Sequence, residues 1–250
     1  MTKVRLKFSK YGPIRFVGHL DMMRYFQKVM RRAGADIAYS GGYSPHQLMS
    51  FAQPLSVGAT SDGEYADLVL TETGEETLQD LVDRLRAVCN EGITVLDAQV
   101  LPEKAEKAMT AVAACAWRAA YRPEAWDGGT DGFEAFCAQE CIPARKKTKK
   151  GLTELDIRPL IHRAQVGDDG SFDLLLKSGS EDNVKPALFL GAFLRYLGTD
   201  REELFLQGDE LKPECLILHR SETYLAGEDE RGRFLAPLIC RDETQRIRLP

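Results

Sequence analysis

His19 and His46 are the side chains best suited to move protons in this chain. His19 lies in Phe16-Val-Gly-His-Leu-Asp21, and His46 ends Tyr43-Ser-Pro-His46. One imidazole can take the proton of a ribose 2′-hydroxyl while a second donates to the leaving oxygen. With a cation to stabilise the phosphorane, metal-independent RNA cleavage needs no further residue type. His19, Asp21 and His46 are also acceptable Zn or Fe ligands. They serve equally as hydrogen-bonding groups of an irregular loop, and Asp21 suits a first helical turn, where the backbone dipole favours a carboxylate. No metal is assigned, and His19 and His46 stand as the catalytic candidates.

Residues 37 to 61 hold no Asp, Glu, Lys or Arg, in a chain that is 28% charged. Gly41, Gly42, Gly58, Pro45 and Pro54 punctuate the run, and Tyr39, Tyr43 and Phe51 lie within it. A neutral stretch of this length is unusual for a plain connection. It reads as a binding loop or as an irregular buried hairpin. Gly18, His19, Asp21, Ser44, His46 and Ser50 are expected to line one concave site, with Tyr43 beside them.

The net charge of −5 hides strong segregation. Residues 1 to 60 carry +7, 61 to 140 carry −11, 141 to 163 carry +5 and 164 to 250 carry −6. Charge acts locally, over a Debye length of about 8 Å, so basic patches can bind nucleic acid on an acidic protein. Arg24, Lys28, Arg31 and Arg32 fall on one face of a helix. Arg145-Lys-Lys-Thr-Lys-Lys150 places five cations in six residues, at the tip of an expected hairpin. Lys146, Lys147, Lys149 and Lys150 read either as a solvated turn or as a phosphate clamp, and Arg158 follows as a further cation. An acidic protein would meet the same side chains.

Six cysteines, at 89, 115, 137, 141, 215 and 240, are scattered and read as free thiols. Cys137-Ala-Gln-Glu-Cys141 has the first spacing of a radical SAM cluster motif, but Ala144 stands at the third position. Two thiolates cannot hold such a cluster, so no cofactor is expected in this chain. There is no Walker motif and no G-x-S-x-G elbow. No run approaches the length of a membrane span, and the N-terminus has no signal-peptide apolar region. The chain is expected to be cytoplasmic.

The elements that must position these residues follow from periodicity. Val4–Phe8 alternates as a half-buried strand. A helix over 19–33 turns Met22, Met23, Phe26, Val29, Met30 and Ala33 inward and ends at Gly34. Short strands are expected at Ile37–Tyr39 and Glu64–Thr71. Thr73 with Glu76 forms a capping box for the next helix, and Ile93–Leu101 is a strand. After a linker at 102–109 the order repeats. Ala111–Tyr121 is a strand, Asp131 caps a short helix, and Arg145–Leu155 is the basic hairpin. Leu160–Val166 and Phe172–Lys177 pair, Pro186 opens a helix, and Cys215–His219 is a last strand. His162 and His219 fall in strands, where packing is the default. The expected class is α+β, with two tandem ferredoxin-like (βαββαβ) domains over 1–102 and 110–222. Residues 223–250 read as a partly irregular tail.

Phe16-Val-Gly-His-Leu-Asp21, Arg24, Arg31-Arg-Ala33, Tyr39-Ser40, Tyr43-Ser-Pro-His46, Ser50-Phe-Ala52, Pro54-Leu55 and Val57-Gly58 together resemble one family. This is the radical-SAM-linked family of bacterial proteins, found alone or fused behind a radical SAM enzyme. Asp156-Ile-Arg-Pro-Leu-Ile161 fits it too, and the resemblance covers most of residues 3–220. It implies a radical SAM enzyme as partner, with the iron–sulfur cluster and S-adenosylmethionine held there. Joined to the charge pattern, it makes an accessory, substrate-recognition protein for structured RNA the leading expectation. Tandem ferredoxin-like domains with a Gly-rich loop also resemble CRISPR repeat-processing endoribonucleases, so an RNA-processing or RNA-modifying enzyme is the alternative. A protein adaptor without nucleic acid is the third reading.

Overall fold

A computed structural model describes residues 1–71, 77–149, 151–179 and 182–249. The chain is of mixed α/β class and divides into two compact units. The first holds residues 1–113 and 222–250, the second 114–221. Among the described residues no helix is long and apolar enough to cross a membrane.

The first unit opens with β1 (Thr2–Lys10), α1 (His19–Arg32), β2 (Met49–Phe51), β3 (Thr60–Leu70), α2 (Leu78–Val88), β4 (Ile93–Val100) and the short α3 (Ala108–Ala111). β1 pairs antiparallel with β3 on one side and β4 on the other, and β2 pairs antiparallel with β3. The strand order is therefore β4–β1–β3–β2. Met22, Phe26, Val29 and Met30 recur at helical spacing and are buried on the sheet. The Phe26 ring lies 4.7 Å from that of Phe8 and 5.4 Å from that of Phe51. Burying each such side chain stabilises the unit by roughly 1.5–3 kcal/mol. Gly34 ends α1 at φ 63°, a left-handed conformation that suits glycine, while Ala35 N–H bonds the Met30 carbonyl at 3.0 Å.

Several expectations for this unit need correction. β1 is not half-buried, because both its faces are covered. Arg5 pairs with Asp67 through two bonds of 2.7 and 3.0 Å, and also donates to the carbonyls of Glu106 and Leu238. Ile37–Tyr39 forms no strand but only isolated bridges, Ile37 to Leu70 and Tyr39 to Gln47. The turn through Gly41 and Gly42 breaks any longer ladder. Thr73–Glu76 lies outside the described residues. α2 is capped by Thr77, whose hydroxyl accepts the Asp80 N–H while the Asp80 carboxylate accepts the Thr77 N–H.

The second unit is built from β5 (Val112–Tyr121), α4 (Phe133–Cys137), β6 (Pro143–Thr148), β7 (Gly151–Asp156), β8 (Ile161–Val166), β9 (Phe172–Lys177), α5 (Pro186–Tyr196), β10 (Phe205–Gln207), β11 (Glu210–Leu211) and the start of β12 (Leu216–Asp229). β9 pairs antiparallel with β5 and β8, giving the order β12–β5–β9–β8. α5 is apolar almost all round, and its Phe189 and Phe193 cluster with Phe133 and Phe136 of α4 and Phe172 of β9. The basic hairpin β6–β7 forms a separate two-stranded sheet. The start of α4 is Gly132 at φ 83°, with no side-chain cap, so Asp131 does not cap it. Cys215 belongs to a 3-10 turn, and the strand begins at Leu216.

The C-terminal segment, expected as a partly irregular tail, carries three strand stretches. β12 runs on to Asp229, β13 (Gly232–Pro237) pairs with it, and β14 (Ile247–Arg248) pairs with β13. The charges of residues 228–233 masked the alternation, yet they flank a turn closed by Gly232 at φ 102°. Residues 222–250 cluster with the first unit. Gly63 lets the chains meet there, since a Cβ on it would lie 2.5 Å from the Glu222 Cα. Thr223 Oγ1 donates to the Gly63 carbonyl at 2.7 Å.

Candidate functional site

Gly18 precedes α1 in extended conformation, and its carbonyl accepts the Met22 N–H at 2.9 Å. His19 is the first helical residue, half-buried, its ring edge-on to Phe51 at 5.7 Å. It lines a cavity of about 20 Å³ with Phe8, Lys10, Met22, Phe51, Gln53, Pro54, Leu55 and Glu64. That volume admits about one water. Lys10 and Glu64 are both buried, and Lys10 Nζ donates to the Val17 carbonyl at 2.8 Å. An imidazole, an ammonium and a carboxylate thus share one small cavity. Lys10 and Glu64 escape sequence reasoning, because they meet only through the β1–β3 ladder, where Phe8 faces Glu64.

His46 does not line this cavity. Its Nδ1 bonds Ser40 Oγ at 2.8 Å, and its backbone N–H donates to the same oxygen, closing the neutral segment into a turn. Tyr43 and Ser44 are exposed on that turn, and Ser50 is half-buried in β2 opposite Asp67. Gln47 is buried beside them and bonds the Gln27 carbonyl and Tyr39 Oη, each at 3.3 Å. Asp21 is exposed and pairs with Arg24 at 3.0 Å. The expected single site therefore separates into a cavity at His19 and a turn at His46.

Lys28 and Arg31 occupy the exposed face of α1 and line an open depression of about 560 Å³ with Tyr25, Arg32 and Asn90. Tyr25 Oη accepts the Asn90 N–H at 2.7 Å, fixing this wall. Burial pushes the Tyr25 phenol up to about 12, while Arg32 pulls against the rise. Lys28, Arg31 and Arg32 have no carboxylate partner among the described residues. Like charges at these spacings destabilise a helix by about 0.2–0.5 kcal/mol per pair, partly offset at a helix C-terminus by the dipole. Tyr25, three positions before Lys28, was within reach of helical spacing; Asn90 was not.

The hairpin offers fewer free cations than its sequence suggests. Arg145 is bound to Asp209 by three hydrogen bonds, from its backbone N–H, Nε and Nη2. Lys146 Nζ donates to the Asn183 carbonyl at 2.8 Å. Lys147 and Lys149 are exposed without an ion pair among the described residues, and Lys150 lies outside them. Arg158 is half-buried, and its backbone N–H donates to Asp156 at 2.9 Å. Burial pushes the Cys137 thiol up to about 11, and Cys141 is exposed. No three His, Cys, Asp or Glu side chains gather in metal-binding geometry among the described residues.

A family model described as uncharacterized protein conserved in bacteria, DUF2344, matches residues 3–186. The chain belongs to this bacterial family. The matched span contains α1, the neutral segment, the His19 cavity and the basic hairpin, so the features above are features of a family member. No curated protein matches the chain.

Proposed function

We propose that this chain is an accessory, substrate-recognition protein that works beside a radical SAM enzyme and binds structured RNA. The observation that carries the RNA reading is the set of exposed cations without ion-pair partners among the described residues. Lys28, Arg31 and Arg32 stand on α1, and Lys147 and Lys149 on the hairpin. Several other arginines are neutralised, as Arg5 by Asp67, Arg195 by Glu202 and Arg248 by Asp229. A polyanion supplies the missing countercharge and releases counterions on binding. The radical SAM partner rests on the sequence resemblance, and the cluster and S-adenosylmethionine belong to that partner. The orders β4–β1–β3–β2 and β12–β5–β9–β8 support reading the two units as tandem ferredoxin-like domains, the second interrupted by the hairpin.

Ultraviolet crosslinking of the intact chain to cellular RNA tests the reading. Crosslinked peptides from residues 19–32 and 145–151 support it. Their absence, with a protein partner retained, transfers the function to an adaptor. An RNA-processing enzyme is the second reading, favoured by one observation, the cavity that His19 shares with Lys10 and Glu64. RNA turnover by the purified chain, lost in His19→Ala, would establish it; intact RNA would exclude it.

A further inference from the structure

We propose that Lys28, Arg31, Arg32, Asn90 and Tyr25 form a phosphate-binding pocket. This deepens the RNA reading of α1 by naming the group that is held and the residues that hold it. Arg31 and Arg32 stand three and four positions after Lys28, so both flank it on the same face of the helix. All five residues line the same depression. Arg24, the fourth cation of the stripe, is not among them and is engaged with Asp21 at 3.0 Å.

The pocket has a fixed wall. Tyr25 is pinned by the Asn90 N–H at 2.7 Å and packs edge-on against Phe26 at 5.6 Å. Asn90 is exposed, and its side chain adds a neutral donor. The Arg31 and Arg32 guanidinium forks match the oxygens of a phosphate, and Lys28 adds a point charge. A single carboxylate would leave two of the three positive charges unanswered. A terminal phosphate monoester or two successive diesters answers them better, and both are phosphate chemistry an RNA strand supplies.

The test uses the intact chain and three probes: inorganic pyrophosphate, and one RNA oligonucleotide with a 5′-phosphate or a 5′-hydroxyl. Pyrophosphate is expected to shift the amide resonances of Tyr25 and Asn90 saturably. The double variant Arg31→Gln with Arg32→Gln is expected to weaken RNA binding by about tenfold or more, about 1.4 kcal/mol. Lys104→Gln with Lys107→Gln, which removes equal charge elsewhere, is expected to change it by less than about twofold. Unchanged melting curves confirm that the variants fold. A preference for the 5′-phosphate assigns the pocket to a strand end, and equal binding assigns it to internal diesters. RNA binding that survives Arg31→Gln with Arg32→Gln, with no response to pyrophosphate, overturns the pocket and leaves the RNA reading to the hairpin. A response to pyrophosphate without RNA affinity keeps the pocket and overturns the RNA reading.

Discussion

Asp209 holds Arg145 by three hydrogen bonds, 2.7 Å to its backbone N–H, 3.1 Å to Nε and 2.8 Å to Nη2. The bonds tie the basic hairpin to the short β10–β11 turn, across sixty-four positions of sequence. Arg195 of α5 reaches the same carboxylate at 3.3 Å. Gly191 and Gly208 make room: a Cβ on Gly191 would lie 1.8 Å from the Asp209 carbonyl oxygen, and one on Gly208 would lie 2.2 Å from that of Arg145. The cation that opens the basic run is thus an anchor, not part of a clamp.

Replacing Asp209 with Asn should destabilise the second unit by about 1.5–3 kcal/mol, the range for hydrogen bonds to charged groups. Burial pushes the Asp209 carboxyl up, but the bonds from Arg145 outweigh it and hold the group below its ordinary 3.8. A depressed carboxyl stabilises the fold above the unfolded value and loses that contribution as pH falls through the folded one. Urea unfolding of both proteins at neutral and acid pH checks this: the gap between them should narrow below pH 3.8.

Phe26→Ala should cost the first unit about 3–5 kcal/mol, because a fully buried ring is replaced by a cavity. Phe26 is 0% exposed between Phe8 and Phe51. Leu20→Ala, on the exposed side of α1, should stay within about 0.5 kcal/mol. Equal losses in chemical denaturation would contradict the packing described here.

α1 was legible because Met22, Phe26, Val29, Met30 and Ala33 repeat at helical spacing and Gly34 supplies the stop. The hairpin was legible for the same local reason, its alternation ending at a cationic tip. What escaped depends on distant partners. Asp209 looks like any loop aspartate until the fold sets it against Arg145. Lys10 and Glu64 look like solvent-facing strand charges until the ladder and the His19 turn enclose them. β13 and β14 were hidden because charge at 228–233 resembles a solvated tail, although Arg246 and Arg248 are committed to Asp229.

That last pairing sets an acid limit for the C-terminal segment. Hydrogen bonds from Arg248 hold the Asp229 carboxyl at about 2, below its ordinary 3.8. Its contribution is complete above 3.8 and disappears as pH falls through about 2. Amide exchange along β13 and β14 should therefore rise across this interval before α1 opens. Asp229→Asn should show the faster exchange already at neutral pH. Exchange independent of both acid and the substitution would show that the pairing does not secure the segment.

Gly63→Ala should destabilise the first unit by about 1–3 kcal/mol, since a methyl group would overpack the backbone of Glu222. Thermal melts of the intact chain report it, and a neutral result would mean that β3 and β12 can separate at no cost. The Glu222 side chain accepts from Lys7 at 2.5 Å and Tyr65 at 2.7 Å. Loss of the Gly63 contact should expose the Tyr65 fluorescence to quencher.

RNA recognition is tested most directly by the affinity of the purified chain for structured RNA across a series of salt concentrations. If the α1 pocket holds two successive phosphates and Lys147 and Lys149 each meet one more, the logarithm of affinity should fall against that of salt with a slope of about −3 to −4, near 0.9 per contact. The Arg31→Gln, Arg32→Gln protein should lose about half of that slope. A flat line, or no measurable binding at about 50 mM salt, would contradict RNA recognition and leave these cations to a protein partner.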